Sequence, residues 1–112
     1  DGRYDTGRSW YDLVTSRTIA GASRDGRTLT LATVQGPARG EGLTVGEFAA
    51  LLARDFHVWD AINLDGGGST SMAWRNPDTG QPALLTTTTE GPDGRRVATS
   101  LAIVAPPRGE RR

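Results

Sequence analysis

Residues 58–70 read "VWDAINLDGGGST", and the fold turns on where that stretch changes character. Val58 to Leu64 form a mostly apolar run, shorter than an ordinary helix, that ends in glycines. Such a run reads as a buried strand. Asp65, Gly66, Gly67 and Gly68 then fall where the strand leaves its sheet, and Ser69, Thr70 and Ser71 follow as three hydroxyl residues in succession. Glycine loses more backbone entropy on folding than any other residue, so three in a row call for a compensating role.

Upstream, Thr44 stands three residues before Glu47, the spacing of a capping box, and Val45, Phe48, Ala49 and Leu52 recur at three- and four-residue intervals along "VGEFAALLARDF". This predicts an amphipathic helix. Further upstream, "RTIAGAS" and "RTLTLATV" are β-prone runs joined at Asp25-Gly26, a dipeptide suited to positive φ, and they predict a β-hairpin. Within its second strand Leu29 and Leu31 share one face, with Thr28, Thr30 and Ala32 on the other. Downstream, "SMAW", "ALLTT" and "VATSLAIVA" are further strand candidates, separated by the turn clusters "NPDTG" and "EGPDG". Hairpin, helix and strand in this order predict an α+β fold, mixed α/β layers in which these strands form part of a larger mixed sheet. Residues 1–15 read as a connecting segment without an assigned element, and residues 106–112 as a disordered tail.

A chain of 112 residues suits one domain. Its 36% hydrophobic content and 15 glycines point to a thin core, part of which is expected from elsewhere. Thirteen basic residues, all arginine, balance thirteen acidic ones without a dense patch before the terminal "RGERR", which disfavours nucleic acid as a partner. The absence of cysteine excludes thiol nucleophiles, thiolate metal sites and disulfides. No apolar run approaches the ~20 residues that span a bilayer.

At the end of a strand, Gly66, Gly67 and Gly68 let backbone amides approach a ligand closely, and the hydroxyls add donors. That combination suits an anion with several oxygens. Asp65 at the mouth of the loop can act as general acid or base, orient a sugar hydroxyl or take a metal, and Asn63 projects to the same side two residues earlier. The competing reading is a tight turn whose backbone is satisfied by Asp65 and Ser69. The loop is not a Walker motif, because the Gly-Lys-Ser/Thr ending is missing, nor a nucleophile elbow, because the second glycine of that pattern falls on Ser71.

"NLDGGGSTSM", preceded by "LTVGEFAALL" and by "SRTIAGASRDGRTLTLATVQG", resembles the C-terminal half of the phosphodiester glycosidase family from about Ser16 to Val104. The resemblance implies hydrolysis of a sugar 1-phosphodiester, such as an α-linked N-acetylglucosamine 1-phosphate joined to another alcohol, to free sugar. It assigns catalytic roles to Asp65 and Arg17, the latter facing the phosphate. It assigns substrate and phosphate contacts to Asn63, Gly66, Gly67, Gly68, Ser69, Thr70 and Arg95. Family members often carry proline where this chain has Ser16, and asparagine where it has Thr99. The upstream half of the family domain, with its Asn-Gly-Gly-Phe-Phe type motif, is missing here, so a preceding segment or separate chain is expected to complete the site. Relatives are mostly secreted or enveloped, which implies an extracellular or bacterial envelope location. A non-catalytic glycan or phosphosugar binding module, and a structural half-domain, are the alternatives.

Other features have plainer readings. "DTG" occurs at 5–7 and 78–80, but neither triplet follows an apolar strand as an aspartic protease requires. His57 is the only histidine and lies just past the helix, where it favours the dipole; without others a zinc site is disfavoured. Asp60 or Asp65 could still offer oxygen ligands to calcium or magnesium. Trp59 and Trp74 flank the motif as core residues or as a stacking surface for a sugar. The run "TTTTE" reads as a solvated edge strand or loop.

Overall fold

A computed structural model describes residues 9–36, 41–86 and 94–106. The chain has a mixed α+β fold. A short helix α1 (Ser9–Asp12) precedes the hairpin of β1 (Arg17–Ser23) and β2 (Leu29–Val34). Helix α2 (Val45–Phe56), strand β3 (Val58–Asn63) and a second hairpin of β4 (Ala73–Arg75) and β5 (Pro82–Leu84) follow. The first sheet has the order β2-β1-β3, with both neighbours antiparallel to β1.

Local chemistry accounts for these elements. Gly26 takes φ +68° in the first turn, where the Ser23 hydroxyl donates to Asp25 Oδ1 at 2.6 Å and the Arg27 amide donates to the same oxygen. At the start of α2 the Thr44 side chain accepts from the Glu47 amide at 3.2 Å, while Glu47 Oε2 accepts from the Thr44 amide at 2.9 Å. The expected capping box is therefore closed. The helix ends at His57 in the left-handed conformation, φ 55°, with its amide donated to the Leu52 carbonyl.

The core lies between α2 and one face of this sheet, where Ile19, Phe48, Leu52 and Val58 are buried, flanked by Ala32, Val34, Leu43 and Leu51. Ala32 pairs with Ile19 and Val34 with Arg17, so these residues share the helix-facing side. The leucine face of β2 is the opposite one, and Leu29 remains exposed.

Three expectations are corrected here. The run Val58–Asn63 is a strand but not a buried one: only Val58 is buried, because β3 sits at the sheet edge with β1 as its only neighbour among the described residues. Residues 94–106, which contain the whole of the expected last strand, have no regular element and are almost wholly exposed. In the connecting segment Ser9–Asp12 is helical, and Thr15 bridges to Leu43. The first "DTG", most of the "EGPDG" turn, four residues of "TTTTE" and residues 107–112 lie outside the described residues. No described helix is long and apolar enough to cross a membrane.

Candidate functional site

The glycine loop grows directly out of the pairing between β1 and β3. Ile19 pairs with Asn63, and the ladder continues past the end of β3 as the Leu64 amide donates to the Thr18 carbonyl at 2.8 Å. The Gly67 amide then donates to the Ser16 carbonyl at 2.9 Å, so the loop is seated on the segment that leads into β1. Gly66 is constrained by space and Gly67 by its backbone conformation. A β-carbon on Gly66 would stand 2.8 Å from the Ser16 carbonyl oxygen and 3.8 Å from the Arg17 α-carbon, and Gly67 has φ +58°. Gly67–Ser69 form one turn of 3₁₀ helix, with the Ser69 amide on Gly66 O and the Thr70 amide on Gly67 O, each at 3.1 Å.

Much of the loop's hydrogen-bonding capacity is thus engaged. The Gly66 amide donates to its neighbour's carboxylate, Asp65 Oδ1, at 3.1 Å, so the amides of Gly66, Gly67, Ser69 and Thr70 all have acceptors within the protein. In this conformation Gly66 and Gly67 turn their amides inward, to Asp65 Oδ1 and to the Ser16 carbonyl. Thr70 is buried to 1% exposure, and its hydroxyl has no hydrogen-bond partner among the described residues. An unsatisfied buried hydroxyl typically costs ~1–3 kcal/mol. Gly68 and Ser69 are half-buried and Ser71 is exposed.

Asn63 and Asp65 are the groups this site presents to solvent. Both are exposed, and apart from the contact with the Gly66 amide neither side chain has a partner among the described residues. Arg17 lies beside them in the ladder but does not present its guanidinium to solvent. It is 6% exposed; Nε donates to the Leu43 carbonyl at 3.2 Å, and Nη2 donates to the carbonyls of Trp10, at 2.7 Å, and Leu13. Burial pushes its pKa below the usual arginine value. Among the described residues no carboxylate forms an ion pair with it, and the partners of this buried charge there are the neutral carbonyls of Trp10, Leu13 and Leu43.

Arg95 is exposed in the stretch without regular structure. Trp59 is separated from the loop by most of β3, ~20 Å for six residues of strand, and Arg24 covers its ring at 4.6 Å. The second "DTG" forms the turn between β4 and β5, where Asn76 Oδ1 accepts from the amides of Asp78 and Thr79. Asp60 pairs with Ala22 in the sheet, and no group of three or more histidine or acidic side chains among the described residues could hold a metal ion.

The motif order "RTIAG", capped helix and "NLDGGGST" therefore corresponds to one physical unit, a sheet edge whose loop is locked onto the entry of β1. The model of the phosphodiester glycosidase family matches residues 1–104. The chain belongs to that family. None of the curated proteins compared with it matches. Membership of the phosphodiester glycosidases supports a glycosidase-type function in general, with a sugar phosphate as the class of substrate. Sequence reasoning missed the carbonyls of Ser16, Trp10, Leu13 and Leu43, which position the loop and Arg17. Backbone acceptors leave no side-chain signature in the sequence.

Proposed function

We propose that this phosphodiester glycosidase hydrolyses a sugar 1-phosphodiester of the N-acetylglucosamine 1-phosphate type at the "DGGGST" loop. The observation that carries the reading is the exposure of Asn63 and Asp65 beside a buried Arg17 that has no carboxylate partner among the described residues. Asp65 takes a proton from the water that attacks the anomeric carbon. The bond from that carbon to the bridging oxygen breaks, and the electron pair leaves with the phosphomonoester. A second carboxylic acid is not needed to protonate this leaving group, because a phosphomonoester, with a second pKa of about 6, departs as a stable anion. Asn63 orients a sugar hydroxyl, and Ser69 and Ser71 offer hydroxyl donors.

Arg17 supports the phosphate by field rather than by a direct fork. A cation desolvated by burial favours a negative charge nearby. The exposed faces of the sheet and the single-sided core support a site completed by an N-terminal half of the domain that is not in this chain. The test is release of free N-acetylglucosamine from a UDP-sugar and from a synthetic methyl phosphodiester, measured on the chain alone and joined to the N-terminal half. Release abolished by Asp65→Asn supports the reading. Binding of these compounds by the joined protein without any release would instead identify a non-catalytic phosphosugar module.

A further inference from the structure

Asp-Gly pairs lie wholly within the described residues at 25–26 and 65–66, and the fold treats them differently. Such a pair can react with itself, because the glycine nitrogen, unobstructed by a side chain, can attack the aspartyl γ-carbon. At 25–26 that attack is held off. Asp25 Oδ1 accepts from the Ser23 hydroxyl at 2.6 Å and from the Arg27 amide at 3.1 Å, bonds that lower its pKa and keep it as the less reactive carboxylate. The Gly26 amide is donated to the Ser23 carbonyl at 2.9 Å, so the nitrogen is engaged as well. At 65–66 neither group is held by a third. Asp65 is exposed, its carboxylate has no other partner among the described residues, and the Gly66 amide points at its Oδ1 from 3.1 Å.

We propose that Asp65-Gly66 is a self-modification site that closes to a succinimide and reopens to isoaspartate, releasing the glycine loop from the entry of β1. In the first step the Gly66 nitrogen bonds to Cγ of the protonated Asp65 carboxyl, the bond from Cγ to its hydroxyl breaks, and the hydroxyl leaves as water with the amide proton. In the second, water adds to one of the two ring carbonyls. Cleavage of the nitrogen's bond to Cγ restores aspartate. Cleavage of its bond to the Asp65 main-chain carbonyl carbon leaves Gly66 joined through the side chain, and the main chain is longer by one carbon. That carbon falls between two fixed points, the Leu64 amide on the Thr18 carbonyl at 2.8 Å and the Gly67 amide on the Ser16 carbonyl at 2.9 Å. Gly66, between them, already lies too close to the Ser16 carbonyl to admit a β-carbon. The modification does not depend on the proposed hydrolysis; only the loss of turnover that follows from it rests on that reading.

The test is to age the full chain at about pH 5, where a reactive share of aspartyl groups is protonated, both folded and in urea. Peptide masses reveal the succinimide as a species lighter by one water, and a protease that cuts before aspartate but not before isoaspartate reads each site. In the folded chain Asp65 is expected to convert at least about threefold faster than Asp25, a ratio that reports the difference in barrier directly. In urea the two rates are expected to converge. The urea midpoint of the aged chain falls below that of the fresh one, whereas Asp65→Glu, whose longer side chain must close a larger ring, keeps its own fresh midpoint. No conversion at Asp65, equal or faster conversion at Asp25 in the folded chain, isoaspartate at 65 with an unchanged midpoint, or a matching decline in Asp65→Glu would each overturn the proposal.

Discussion

Gly66 lies so close over the carbonyl of Ser16 that a β-carbon there would stand 2.8 Å from the oxygen. The acceptor is main chain and cannot rotate away, and the next amide, that of Gly67, is hydrogen-bonded to the same oxygen. Gly66→Ala is therefore expected to lift the loop off the β1 entry and lower stability by about 1–3 kcal/mol, as overpacked sites do. Gly67→Ala, forced to keep a left-handed backbone, is expected to cost about 1–2 kcal/mol. Urea denaturation of both variants checks this; unchanged midpoints would mean that the loop is not seated on Ser16.

Arg17 ties α1, the segment after it and the entry of α2 to β1 through the carbonyls of Trp10, Leu13 and Leu43. Replacing the guanidinium by Lys keeps a charge but loses the fork that reaches three acceptors. Arg17→Lys is expected to lose about 2–4 kcal/mol of stability, since hydrogen bonds to a charged group are worth more than neutral ones. The measurement is again urea denaturation, read beside KM. A variant of normal stability with a raised KM alone would show that the side chain turns outward to bind substrate directly.

The elements legible in the sequence are those whose causes are local. Thr44 and Glu47 announce the start of α2, Asp25-Gly26 announces the first turn, and both work in the structure through bonds between residues two or three positions apart. The burial of β3 was not legible, because an apolar run such as Val58–Leu64 looks the same at the centre of a sheet as at its edge, and strand order is a long-range property. For the same reason alternation in Val97–Val104 indicates strand character without supplying a neighbour to pair with. At the site, Asp65 and Asn63 could be picked out by type and spacing. The orientation of Arg17 could not, because it depends on carbonyls seven residues upstream and 26 residues downstream in the chain.

Asp65 is exposed and its one hydrogen bond among the described residues is with the following amide, so Asp65→Asn is expected to leave stability within about 0.5 kcal/mol of the parent. Its effect falls on turnover. Loss of the proton acceptor is expected to lower kcat by ~10²-fold or more on a sugar 1-phosphodiester in the completed site. Steady-state assay beside thermal denaturation separates the two. Full turnover in Asp65→Asn would remove this carboxylate from the chemistry.

His57 ends α2 with φ 55°, a conformation that costs a side-chain-bearing residue what it does not cost glycine, and its amide caps the Leu52 carbonyl. His57→Gly is expected to raise stability by up to about 1 kcal/mol while leaving sugar release unchanged. A thermal melt and the same activity assay test both halves. A loss of activity with an intact fold would give the imidazole a chemical role.

The capping box predicts how the fold responds to acid. Hydrogen bonds from the Thr44 backbone amide and then the Thr44 hydroxyl hold the Glu47 carboxyl below its usual pKa, and those from the Ser23 hydroxyl and the Arg27 amide do the same for Asp25. A carboxyl with a lower pKa in the folded than in the unfolded chain binds its proton more readily when unfolded. Its stabilisation is therefore complete above the unfolded value, about 4.3 for glutamate, and is lost as pH falls through the lower folded value. Urea midpoints measured at pH 7, 4.5 and 3 are expected to fall with pH in the parent, and the fall is expected to be shallower in Glu47→Gln. Because Gln accepts the same amide without titrating, a parallel fall in both proteins would mean that acid destabilises the chain through other carboxylates and leaves the α2 cap intact.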